Sequence, residues 1–105
     1  MELYKMRIVD ELFRISIPSD LRKELDINTR DKISLTTIGT IVILMKAESD
    51  AVTDVEAGVY ICETNELGMI ILPQEVRTFL DCKVADRLPL YLTDSLMILK
   101  SAVKK

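Results

Sequence analysis

The side chains best equipped to act on a partner are cations gathered near the N-terminus: Lys5, Arg7, Arg14, Arg22 and Lys23. Such groups hold phosphates and carboxylates, and a guanidinium does so with two parallel hydrogen bonds. The other tools of catalysis are missing from the chain. With no histidine there is no Ser-His or Cys-His nucleophile pair. The two cysteines, Cys62 and Cys82, lack zinc-ligand spacing and sit among apolar neighbours, the usual setting of small buried hydrophobes. Gly39, Gly58 and Gly68 are scattered and make no phosphate-cradling loop. The residues therefore point to a binding protein and not an enzyme, with no metal, no cofactor and no small-molecule substrate expected.

Short strands and one helix must position the cations. Tyr4, Met6 and Ile8 alternate with Lys5 and Arg7, as in a half-buried strand. Asp10 to Phe13 reads as a loop, and Arg14-Ile15-Ser16-Ile17 alternates again. Pro18 stands at a helix start, where its missing N–H costs nothing. Leu21 and Leu25 lie one turn apart on one face, with Arg22 and Lys23 beside them. Lys32 to Leu35 and Thr40 to Met45 make two more strands, joined around Gly39.

The whole pattern then repeats. A shift of 55 residues, without a gap, superposes eleven identities, among them Pro18 on Pro73, Arg22 on Arg77, Asp31 on Asp86 and Ile43 on Ile98. The chain of 105 residues divides into a first half-module (1–47), an acidic linker (48–58) and a second half-module (59–105). In the second, Met69-Ile70-Ile71-Leu72 is continuously apolar and predicts a strand covered on both faces. Pro89 predicts a strand edge or start, and the last residues form a short basic tail. Net charge is −3 but uneven: Tyr4 to Lys46 carries eight bases against six acids, Val59 to Ser101 four against six, and the linker four acids without a base. No apolar run approaches the ~20 residues of a membrane span, and charges crowd the first twelve residues, so a cytoplasmic protein without membrane contact is expected.

The run Asp-Glu-Leu-x-Arg-Ile-x-Ile-Pro-x-x-Leu-Arg-Lys, from Asp10 to Lys23, resembles the DNA-binding half of the AbrB/MazE/SpoVT swapped-hairpin family. The resemblance implies a mainly β protein with two short helices, in which two half-modules interlock hairpins into one small β-barrel. Most relatives do this as homodimers, whereas the MraZ proteins carry both halves in one chain, as the duplication here does. It also implies that Arg7, Arg14, Arg22 and Lys23 form a basic, DNA-facing surface. Phe13, Asp26 and Arg30 stand where the family carries glycine, and Gly68 keeps that glycine in the second half.

Pairing the first two strands of each half as a hairpin sets the faces. Val9 then opposes Arg14, and Arg7 opposes Ser16. Lys5, Arg7, Arg14 and Ser16 share the outside; Met6, Ile8, Ile15 and Ile17 share the inside. The same construction in the second half puts Tyr60, Cys62, Thr64, Met69 and Ile71 outside, an apolar face of the kind that marks contact surfaces. Arg22 has a rival role, an ion pair with Asp26 one turn on, worth ~0.3 kcal/mol. The leading reading is a transcriptional regulator that binds double-stranded, A/T-rich DNA through phosphates and shape. It would act as a dimer of chains joined through Tyr60, Cys62, Met69 and Ile71. The alternative is an antitoxin-like or decoy module that contacts proteins and not DNA.

Overall fold

The computed structural model describes residues 2–102; the basic tail expected at 103–105 lies outside them. Eight strands and two short helices follow in the order β1 (Glu2–Ile8), β2 (Arg14–Ser16), α1 (Ser19–Glu24), β3 (Lys32–Ile38), β4 (Ile41–Lys46), β5 (Val59–Glu63), β6 (Met69–Ile71), α2 (Gln74–Phe79), β7 (Arg87–Thr93) and β8 (Leu96–Lys100). Pro18 and Pro73 hold extended backbone at the helix N-caps, φ −51° and −58°. Each helix buries one residue of its own, Leu21 and Val76.

The strands do not close into the expected barrel. They form an open six-stranded antiparallel sheet, ordered β1-β7-β8-β4-β3-β5, and a separate two-stranded ribbon of β2 with β6. The ladder ends at β1 on one side and β5 on the other, and no pairing joins these edges among the described residues. The hairpins expected of the first two strands in each half are also corrected, whereas β3 pairs with β4 around Gly39 as expected. β1 pairs with β7, β5 with β3, and β2 with β6, so each half supplies strands to the other. A strand of three residues makes too few bonds to hold its neighbour in sequence, and the longer third strand of the other half is a better template.

The register keeps the 55-residue shift. Arg7 opposes Leu88 and Cys62 opposes Ile33; Ile8 opposes Arg87 and Glu63 opposes Lys32. Ile15 pairs with Ile70 and Ile43 with Ile98, each opposite its own counterpart. A pseudo-two-fold axis therefore passes through these two isoleucine pairs. Ile33, Leu35, Val42, Leu44, Leu88, Leu90, Met97 and Leu99 on the sheet join Ile15, Ile17, Ile70 and Leu72 in one core, with none more than 2% exposed.

The exchanged pairing overturns several assigned faces. Residues opposite one another in an antiparallel pair share a face. Tyr60 stands opposite the fully buried Leu35 and is only 8% exposed, not outward. Thr64, also expected outside, is buried and its hydroxyl donates to the carbonyls of Asn28 and Asp31. Ile8, expected inside, follows Arg87 to the surface and is 62% exposed. β6 is not covered on both faces, because Ile71 is 57% exposed. Pro89 lies inside β7, opposite Met6 of β1; the β8 ladder begins one residue later, at Leu90, so no bond is lost there.

Left-handed backbone recurs in step with the duplication: Phe13 and Gly68, Asp26 and Asp81, Arg30 and Ala85, Gly39 and Asp94 all have positive φ. The three positions where glycine is replaced in the first half thus keep the glycine conformation. A β-carbon there costs roughly 1–2 kcal/mol. Neighbouring hydrogen bonds hold the turns against that cost, as where Phe13 N–H donates to the Asp10 carbonyl and Ala85 N–H to the Val9 carbonyl. Ala85→Gly relieves such strain at φ +74° without removing a polar group. It should raise the unfolding free energy by about 0.5–1 kcal/mol, read as a higher urea midpoint at unchanged slope.

Asp10 closes the first loop. Its Oδ1 accepts the N–H groups of Leu12 and Arg14, and its Oδ2 accepts the Arg14 guanidinium at 2.8 Å. Asn65 makes the same two backbone contacts in the second half without a charge. Partial burial pushes the Asp10 carboxyl up, but the Arg14 backbone and guanidinium and the Leu12 N–H outweigh it and hold the group below its ordinary value. A depressed carboxyl stabilises above its unfolded-state value, near pH 4, and that contribution disappears as pH falls through the folded value. Asp10→Asn should fold normally and show a shallower loss of stability below about pH 4 in acid titrations followed by circular dichroism.

Candidate nucleic-acid interface

The β2–β6 ribbon has two faces. Ile15 and Ile70 point into the core, at 1% and 0% exposed. Arg14 and Ile71 oppose each other on the other face, as do Ser16 and Met69. Arg14, one of the five cations assigned to DNA, and two of the four residues assigned to a protein interface therefore occupy one surface. The pseudo-two-fold axis exchanges Arg14 with Met69 and Ser16 with Ile71, so half of this face is polar and its image is apolar.

Arg7 stands opposite the fully buried Leu88, so β1 turns it toward the core side and not outward as expected, and from there its side chain reaches Ser16 of the ribbon. One terminal nitrogen donates to the Ser16 hydroxyl at 2.8 Å and to the Ser16 carbonyl at 3.3 Å, and its Nε donates to the Met6 carbonyl. The expected neighbourhood of Arg7 and Ser16 is realised, but by a side chain bridging two sheets and not by a hairpin ladder. All of these acceptors are uncharged. Arg14 is different: its charge is paired with Asp10 at 2.8 Å. Arg7 and Arg22 make no ion pair with a carboxylate among the described residues.

Arg22 does not form the expected pair with Asp26. Its Nε donates to the Ile17 carbonyl at 3.0 Å, and the guanidinium lies over Gly68, where an added β-carbon would come within 2.2 Å of it. Asp26 is held by Lys46, which reaches Asp31 as well, at 3.7 and 3.4 Å. In the second half the arrangement diverges. Arg77 stacks on the Phe13 ring at 4.2 Å, and its buried Nε has no hydrogen-bond partner among the described residues. Each helix arginine thus crosses to the loop of the other half, Arg22 to Gly68 and Arg77 to Phe13. Single-sequence reading missed this pairing, although the 55-residue shift carries it: Phe13 maps on Gly68 and Arg22 on Arg77.

Lys5 and Lys23 are exposed. Lys5 acts electrostatically on Asp20, whose carboxylate is held below its ordinary value first by the Tyr4 hydroxyl. Tyr60 and Cys62 lie on β5, apart from the ribbon face. Cys62 opposes Ile33 on the core side, and burial pushes its thiol up to about 12, so thiolate chemistry at neutral pH is suppressed. Met69 is half-buried and Ile71 exposed. The apolar face expected of the second half shrinks to these two residues. No group of three or more His, Cys, Asp or Glu side chains able to hold a metal is found among the described residues, and none of their helices is long and apolar enough to cross a membrane.

No protein-family model and no curated protein matches the sequence. Among solved structures, the solution structure of PHS018 from Pyrococcus horikoshii is similar over 97% of this chain and 94% of that chain, at 19% sequence identity and a TM-score of 0.52. Likeness at that identity shows a shared fold and nothing about what either chain binds.

Proposed function

We propose that the chain is a DNA-binding regulator whose contact surface is the outer face of the β2–β6 ribbon with Arg7 beside it. One observation carries the reading: Arg7, from the edge strand, is fixed by Ser16 of the ribbon with no carboxylate among the described residues to neutralise it. A guanidinium held by neutral acceptors keeps its charge for an external anion, and the rigid ribbon fixes where that anion must sit. Arg14 stands on the outer ribbon face, Arg22 is anchored nearby in the fold through Ile17 and Gly68, and Lys5 and Lys23 add exposed charge.

The reading also assigns a role to the Asp10–Arg14 pair. It holds one arginine half-neutralised, so the face attracts phosphate less strongly than its cation count suggests. Pairing of chains through Met69 and Ile71 would cover Arg14 and Ser16, because all four side chains share the ribbon. The two uses of that face exclude each other, and we assign it to DNA.

Anisotropy of a labelled A/T-rich duplex tests this, with molecular mass read by light scattering on the same sample. Binding should weaken steeply with salt, with a log–log slope of about −4 to −5 if the five cations each neutralise a phosphate. Arg7→Ala with Arg14→Ala should flatten the slope by about 2. Asp10→Asn frees Arg14 and should strengthen binding at low salt while steepening the slope by up to about 1. A folded protein that ignores DNA at low salt overturns the proposal and favours a protein partner for the face.

A further inference from the structure

Fixed cations explain attraction to phosphate but not the other half of the ribbon face. Ile71 is 57% exposed directly opposite Arg14, and the half-buried Met69 is directly opposite Ser16. Phosphate contact has no use for either. Relative to the symmetric arrangement, the second half has apolar side chains where the first has a cation and a hydroxyl. The core does not require this: Ile15 and Ile70 already fill the inner face.

The chemistry that accepts both kinds of side chain at once is the floor of the DNA major groove. There the thymine C5-methyl is the one apolar group a base edge presents, beside hydrogen-bond acceptors such as N7 and O4. A two-stranded ribbon fits the width of that groove, about 12 Å, since its strands are about 4.8 Å apart and side chains fill the rest. Charge complementarity selects DNA over an apolar protein surface, because docking a dry partner on Ile71 would desolvate the Arg14–Asp10 pair and bury Arg7 beside it without an anion.

We propose that the β2–β6 ribbon enters the major groove with Ile71 and Met69 against thymine methyl groups while Arg14, Ser16 and Arg7 hold the adjoining polar edge and backbone. The inference rests on the DNA-binding reading above and adds its source of sequence preference. Because the polar and apolar halves are images across the pseudo-two-fold axis, the site read by one chain is non-palindromic.

The test compares an A/T-rich duplex with the same duplex carrying uracil in place of thymine, which removes the methyl groups alone. The wild-type chain should bind the uracil duplex about fourfold more weakly for each methyl it buries, with an unchanged salt slope. Ile71→Ala, at an exposed position that leaves the core intact, should lower affinity for the thymine duplex and reduce the difference between the two. Ile71→Ser serves as a second variant, and thermal melting checks that both fold. Equal binding of the two duplexes by the wild type, or a difference undiminished in both variants, overturns the methyl contact while leaving the DNA reading intact. Binding to neither duplex overturns both.

Discussion

Neither half of this chain completes a sheet from its own strands, and that exchange governs the rest of the structure. β1 finds its partner in β7, and β5 finds its own in β3. About forty-five residues bury too little surface to fold alone. Here the two halves share one core in which Ile15 meets Ile70 on the axis, and Ile43 meets Ile98 on the far side of the sheet. Joining them through the linker makes that association intramolecular, so its cost does not rise with dilution. The linker is also more than a tether. Asp54 bridges to Val59, the Thr53 hydroxyl accepts the Ile61 N–H, and Lys32 donates to the Ala51 carbonyl, which shields part of the β5 edge.

Symmetry in the backbone contrasts with divergence in the side chains. Four pairs of left-handed residues recur at the same spacing although only Gly68 and Gly39 among them are glycines. The fold therefore tolerates strain at Phe13, Asp26 and Arg30. At Phe13 the side chain gives something in return: its ring carries Arg77, a contact of order 0.5–1 kcal/mol near the surface. The bare Gly68 accommodates Arg22 in the corresponding place. The same backbone thus presents two different surfaces, which a homodimer of identical halves could not do.

Charge follows the same logic. The net charge of −3 conceals a face on which Arg14 is restrained by Asp10 and beside which Arg7 is held by neutral groups. Much of the remaining negative charge sits on the linker and on exposed carboxylates such as Glu63, Glu66 and Glu75. Local arrangement, and not the sum, decides what such a surface attracts.

The sequence by itself determined the duplication, the two short helices with their prolines, the alternation of the strands and the cations worth following, because these depend on neighbours in the chain. Hydrophobic alternation placed Ile15 and Ile17 inside, and the 55-residue shift carried the symmetry that the exchanged pairs keep. Tertiary structure alone decided which strand pairs with which. A three-residue strand has no local signal strong enough to choose its partner, so an assumed hairpin sent Tyr60 and Thr64 outward and Ile8 inward, the reverse of what β7 and β3 impose. The same limit hid the merging of two expected surfaces into one. Arg14 and Ile71 are 57 positions apart and become neighbours only when the halves interlock, and an alternation pattern gives the face of a strand without saying what lies across from it.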